Sequence, residues 1–227
     1  MAISRNLLLF LACWMCAIDT EVVLGFAAKK RGGKKKSAAS TNKGFGAPPP
    51  TLDEILAKFP NNLPKEESEA NAMPCPCGGE TYGDCCAPFH RGEKQCLSMS
   101  DVLKTRYSAF SLRNIRYVMD TTHQVCRDWR EDRIEWAKDL NKSGMFDSFE
   151  FTKLDAGPEE PGQDENEGYM DFKVLLTAKD DMDNAGQQTV VSERSRFLRD
   201  PDDKTWKYAS GDVRSEVAGL EDTQLNA

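Results

Sequence analysis

Residues 133–154, RIEWAKDLNKSGMFDSFEFTKL, change period half-way along. Trp136 and Leu140 continue a helical stripe that starts upstream at Trp129 and Arg133, and Lys142-Ser143-Gly144 is the chemistry of a helix stop. From Phe149 onward Phe149 and Phe151 alternate with Glu150 and Thr152, the period of a strand with one buried face. The same contrast holds on either side. Upstream, residues 98–112 place Val102, Leu103, Tyr107 and Phe110 on one helical stripe, and Asn114 is set to cap a second helix with Ile115, Val118, Met119 and Thr122 inward. The third helix is expected over 127–141. Downstream, Tyr169, Phe172, Val174 and Leu176, then 189–198 and 205–212, complete at least four strands, separated by turns at 157–168, 180–186 and 200–204. Helices first and strands afterwards predict an α+β domain rather than a parallel α/β sheet. No internal repeat is visible.

Ahead of this domain, Thr51-Leu-Asp-Glu54 predicts a capping box, followed by a short helix carrying Leu52, Ile55, Leu56 and Phe59 on one face and stopped by Pro60. Residues 60–73 read as a polar linker. Of the cysteines, four fall within twelve residues: Cys75, Cys77, Cys85 and Cys86 in PCPCGGETYGDCC, residues 74–86. Zn2+ takes four soft ligands in a tetrahedron, and a Cys-x-Cys turn facing a Cys-Cys pair across a Gly-rich hairpin brings four thiolates to one ion. Gly78 and Gly79 permit the tight turn. Metal binding would supply the folding energy that so apolar-poor a segment lacks. Two other readings stand beside this one: disulfides across the hairpin, and His90 replacing Cys86 as the fourth ligand. Cys96 and Cys126 stand alone and are expected to be buried small hydrophobes.

Here a family resemblance enters. Cys-Pro-Cys-Gly-Gly with a closing Cys-Cys resembles the SEC-C motif, the zinc knuckle at the end of the SecA translocation ATPase. Pro88-Phe-His-Arg-Gly92, Leu103-Lys-Thr-Arg-Tyr-Ser-Ala-Phe110, Thr122-His123, Glu193-Arg-Ser-Arg-Phe-Leu198 and Trp206-Lys-Tyr-Ala-Ser-Gly-Asp212 together resemble the YchJ-like family over residues 74–212. The resemblance implies an α+β, nuclear-transport-factor-2-like cone: three helices, then a curved antiparallel sheet, preceded by the zinc knuckle. It also implies a knuckle that docks a protein partner, and a sheet through which relatives often form homodimers. There are departures. The knuckle has seven residues between its second and third cysteines, one fewer than usual, and Gly-Gly-Glu where Gly-Ser-Gly is usual. Some family members carry a second knuckle at the C-terminus, whereas residues 214–227 here contain no cysteine. Thr122 and Gln124 replace the Trp and Pro that usually flank the family's His, here His123.

Within the cone, the candidate pocket residues are Arg106, Tyr107, His123, Glu193, Arg194, Arg196 and Asp212. On a strand, Arg194 and Arg196 share one side and Glu193 and Ser195 the other. Two arginines facing a pocket would grip a small anionic ligand by paired hydrogen bonds; the alternative is that they pair with acids and hold the fold together. His123 is expected to be bonded to backbone at a helix end, and Trp129, Trp136 and Trp206 to be core. Three functions follow: a zinc-knuckle adaptor binding a protein or a small anion, a small-molecule enzyme using the cone pocket, or a thiol redox sensor. An isomerase or dehydratase would need a paired acid and base, and the candidates have no recognisable catalytic spacing.

The sequence divides at 1–25, 26–50, 51–73, 74–92, 96–213 and 214–227. The first piece has Arg5 followed by twelve apolar residues over 7–18, a cleavable signal rather than a lasting membrane span. Residues 26–43 carry seven Lys/Arg and no acid, a transit-like composition. Signal, Phe26 and transit-like stretch together resemble the two-part plastid presequence of algae with secondary plastids; secretion is the alternative. Residues 44–227 carry 22 Lys/Arg against 35 Asp/Glu, a balance that excludes non-specific nucleic-acid binding. The final piece, 214–227, is an acidic tail.

Overall fold

The computed structural model describes residues 49–179 and 185–217; the signal, the transit-like segment and most of the acidic tail lie outside the described residues. Among the described residues seven helices precede four strands: α1 (Leu52–Leu56), α2 (Glu67–Ala72), α3 (Ala87–His90), α4 (Met99–Ser111), α5 (Ile115–Asp120), α6 (Arg133–Asn141) and α7 (Met145–Ser148), then β1 (Phe149–Pro161), β2 (Glu167–Ala178), β3 (Gln188–Arg199) and β4 (Trp206–Val217). Among these residues, no helix is long and apolar enough to cross a membrane.

The strands form one antiparallel meander, β1-β2-β3-β4. Its inner face carries Met170, Phe172, Val174 and Leu176 from β2 and Val191, Glu193, Ser195 and Phe197 from β3, all buried, and α4 lies across it. Tyr169 has the other parity and lies half-buried on the outer face, so Met170 takes the inward place. Ser98 caps α4 by accepting from the Asp101 amide, and Asp101 reaches back to the Ser98 amide. Thr51 and Glu54 form the expected capping box on α1, and the Asn114 side chain accepts from the Tyr117 amide to start α5. Leu52, Leu56 and Phe59 dock on the main core.

Four boundaries differ from the sequence reading. The third long helix begins at Arg133, not 127, because Asp132 caps it by accepting from the Ile134 and Glu135 amides. Trp129 sits in the preceding turn and packs on Trp136 from outside the helix. Residues 60–73 are not a free linker: α2 runs through them, Ala70 is buried, and Gly83 and Tyr82 amides donate to Ala70 O and Met73 O. The expected turn at 157–168 shrinks, because β1 continues to Pro161 through a bulge between Ala156 and Glu159. That strand is an edge, where a Pro in a bulge deprives no neighbour of a donor. Gly157 is required there, since a Cβ would meet Asp171 O at 2.8 Å. Finally, β4 extends past Asp212 to Val217.

Candidate metal centre

The hairpin over residues 75–86 is held open by backbone. Gly78 has φ +93°, a conformation only glycine adopts without strain, and its amide donates to Cys75 O. A Cβ on Gly79 would stand 2.6 Å from Cys85 Sγ, so only glycine lets the turn close on the sulfurs. The four Sγ atoms of Cys75, Cys77, Cys85 and Cys86 then all lie within 4.8 Å of one another. Cys77 Sγ is 3.5 Å from Cys75 Sγ, 3.5 Å from Cys85 Sγ and 3.6 Å from Cys86 Sγ, and Cys85 Sγ is 3.9 Å from Cys86 Sγ. A zinc–sulfur bond of about 2.3 Å makes the edge of a regular tetrahedron about 3.8 Å. The donor set and its spacing fit that ion. None of the six described cysteines is joined in a disulfide.

The sulfurs lean on the main domain. Ser108, fully buried on α4, donates to Cys86 Sγ at 3.2 Å and lies 3.8 Å from Cys75 Sγ, while Cys86 Sγ donates toward Lys104 O at 3.8 Å. Hydrogen bonds from Cys77 and Cys86 draw the Cys75 thiol far below its ordinary range. Bonding to Cys75 and Cys77, with burial, pushes Cys86 up, and burial pushes Cys85 up to about 12. Cys75 is thus the favoured thiolate of these three, and a bound divalent cation would let neighbouring thiols ionise together.

His90 is not a ligand. Its Nε2 is 2.9 Å from Thr105 O, which can only accept, so Nε2 carries the proton and Nδ1 accepts from the Tyr82 hydroxyl at 2.7 Å. Both ring nitrogens are thus spent, Nε2 tying α3 to α4 and Nδ1 tying α3 to the cysteine turn. Burial lowers its pKa, which favours this neutral ring. Ser108, Tyr82 and Thr105 are the members of this site that sequence reasoning missed. For Ser108 and Thr105 the signal was a polar residue on the buried side of a helix; Tyr82 lies in the turn between the cysteines and gave none.

The candidate pocket residues separate into three places. Arg106, Tyr107 and Glu193 are inside the cone. Arg194 is on the outer face, where it pairs with Glu160 and Asp171 and lies 5.2 Å over the Tyr169 ring. Arg196 pairs there with Glu167 at 2.5 Å. Asp212 is the register partner of Arg194 and shares its outer face. The two arginines therefore do not converge on a cone pocket. Val191 and Phe197, which share the parity of Glu193, claim the inside instead. His123 is buried, its amide donating to Tyr208 O at 2.7 Å and its Nδ1 accepting from the Val125 amide, the backbone-bonded role expected of it.

A cysteine knuckle bonded onto the first long helix of a helix-then-meander cone defines a class: a SEC-C-type knuckle on a nuclear-transport-factor-2-like domain. Residues 98–211 match the family model described as the YchJ middle NTF2-like domain. A UPF0225 protein of Vibrio vulnificus is 30% identical over 158 residues, 68% of this chain and 83% of that protein. One from Yersinia pestis is 32% identical over 154 residues, 66% of this chain and 89% of the relative. Among solved structures, a SEC-C motif containing protein from Psychrobacter arcticus superposes with a TM-score of 0.50 at 20% identity, over 66% of this chain and 87% of the other, a likeness of fold. The chain belongs to the YchJ-like family.

Proposed function

We propose that Cys75, Cys77, Cys85 and Cys86 bind one Zn2+, and that the chain is a binding protein whose metal-fixed knuckle docks a protein partner. The reading rests on the tetrahedral spacing of the four sulfurs, with Gly79 closing the turn and Ser108 bonding Cys86. The metal would be structural: four protein ligands close a zinc shell and leave no open position for chemistry. The inner cysteines, Cys75 and Cys86, are buried against α4, while Cys77 and Cys85 are half-exposed beside the exposed Gly78, Glu80 and Asp84. That outward rim is acidic, so a basic partner surface complements it.

The test is elemental analysis of the purified chain, followed by partner capture. One zinc per chain is expected, together with a partner retained by the wild type and lost by a Glu80→Lys, Asp84→Lys variant that keeps its zinc. A folded chain with no zinc after growth in zinc-sufficient medium refutes the metal. Undiminished capture by the charge-reversed variant refutes the rim.

A further inference from the structure

Arg106 on α4 is buried to 5% exposure, and its three hydrogen bonds all leave Nη1, to Val118 O, Thr121 Oγ1 and Thr122 Oγ1 at 2.9–3.0 Å. Its guanidinium lies 4.8 Å from the Tyr208 ring centre and 5.8 Å from that of Phe110. None of the ion pairs among the described residues involves it. Its hydrogen bonds go to neutral oxygens and its charge lies over rings, while the two carboxyls that reach it electrostatically, Glu193 and Asp128, are both drawn toward the neutral form by burial, so its forked donor set has no ion pair.

Beside it is a cavity of about 130 Å³, which Arg106 lines. Most of the remaining wall is apolar: Phe110, Trp136, Leu140, Met145 and Phe146. An engineered apolar cavity of about 150 Å³ takes up benzene, so the space suits one ring or a short branched chain. Two acids also line it. Asp139 is exposed at the mouth, Arg130 lines the cavity as a second cation, and burial raises the pKa of Asp128 against the pull of Arg127, Arg130 and Arg106.

We propose that this cavity binds a small monocarboxylate with a compact apolar body, its carboxylate on the Nε–Nη2 edge of Arg106 and its body against Trp136, Leu140 and Phe146. The site is separate from the cysteine knuckle and does not depend on the metal. It also replaces Arg194 and Arg196 as the place where this fold meets an anion.

Benzoate, benzyl alcohol and benzylammonium share a ring and differ in the head group. Saturation-transfer NMR on the full chain, with Trp136 fluorescence as a second readout, ranks them. Benzoate is expected to bind at least about tenfold more tightly than the other two. Leu140→Trp fills the cavity and leaves Arg106 intact; it is expected to lose benzoate with its circular dichroism unchanged. Ser143→Phe, at another wall position, serves the same purpose if Leu140→Trp does not fold. Arg106→Lys keeps the charge without the fork and is expected to bind benzoate more weakly. Equal binding of the three rings overturns the proposal. So does the lack of saturation transfer at roughly 10 mM benzoate, or undiminished binding by a folded, cavity-filled variant.

Discussion

The cone buries Val102, Met119, Val174, Leu176, Val191 and Phe197 almost completely, large apolar side chains drawn from every layer of the domain. The knuckle's own buried set is Ala70, Cys75, Tyr82, Cys86, Ala87 and Leu112, mostly small and including two thiols. Burial at about 25 cal/mol per Å² of apolar surface supports the first region and gives the second very little. The knuckle offers four sulfurs at metal-binding distances in place of a core. One region is thus held by area and the other, on the proposed zinc reading, would be held by coordination, and Ser108 is where the two meet.

The largest expected effect separates them cleanly. Cys86→Ser removes one donor and the partner of Ser108. Structural zinc sites in small domains contribute on the order of 10 kcal/mol of apparent folding energy. Zinc content is therefore expected to fall from one per chain to near none, and residues 74–92 to become cleavable by protease. The cone is expected to keep its thermal transition, since none of its core's fully buried residues comes from the hairpin, from which only the partly buried Cys77 packs against it. Loss of the cone transition together with the zinc breaks the contrast.

The pH dependence of the two regions is opposite in sign. Thiolates bind metal better as pH rises. Glu193, by contrast, is buried on the inner face, its Oε1 bonded by Ser195 and its Oε2 without a hydrogen-bond partner. Burial pushes its carboxyl up to about 8. Between the ordinary carboxylate range, near 4.5, and about 8, the folded chain holds a proton that the unfolded chain has lost. That contribution to stability is complete below the lower value and disappears as pH climbs through the upper one, at about 1.4 kcal/mol per pH unit. Urea unfolding of Glu193→Gln against wild type from pH 5 to pH 8 is expected to show the variant gaining relative stability as pH rises. The comparison at each pH cancels the zinc contribution common to both. A constant difference between the two curves removes Glu193 from the account.

The α+β order, the caps at Thr51 and Asn114 and the cysteine cluster were legible, because each is a local pattern that no tertiary contact had to override. The α2 helix was not. It presents one buried residue, Ala70, and is fixed by backbone bonds from Tyr82 and Gly83, which leave no hydrophobic period to read. Trp129 fitted the helical spacing of Trp136 while sitting a turn before the cap, since spacing does not reveal where a helix starts. The Arg194/Arg196 face was misplaced for a similar reason. Alternation says which residues share a side but not which side is wet. The parity of Val191 and Phe197 with Glu193 held that answer within the same ten residues.

Ser108→Ala tests the junction. It removes one hydrogen bond to Cys86 Sγ in a buried place, with an expected cost of about 1 kcal/mol. Loss of a partner that orients a metal ligand commonly weakens binding by roughly 10–100-fold, so chelator competition is expected to show zinc leaving Ser108→Ala at lower chelator concentration. A stability change without any change in zinc affinity would confine Ser108 to the core of α4.

The smallest effect belongs to Arg194. Its side chain is 44% exposed, and so is that of Glu160, one of its two acidic partners. The ion pairs with Glu160 and Asp171 span β1, β2 and β3 on the wet face of the sheet, where salt screens them and the side-chain ordering they require offsets their attraction. Arg194→Ala is therefore expected to move the cone transition by no more than roughly 2 °C. Zinc content and benzoate affinity are expected to be unchanged, because neither Arg194 nor its partners line the Arg106 cavity. A large loss of benzoate binding in Arg194→Ala would return the anion site to the outer face. It would also make the charged surface, rather than the cavity beside Arg106, the part of the cone that recognises ligand.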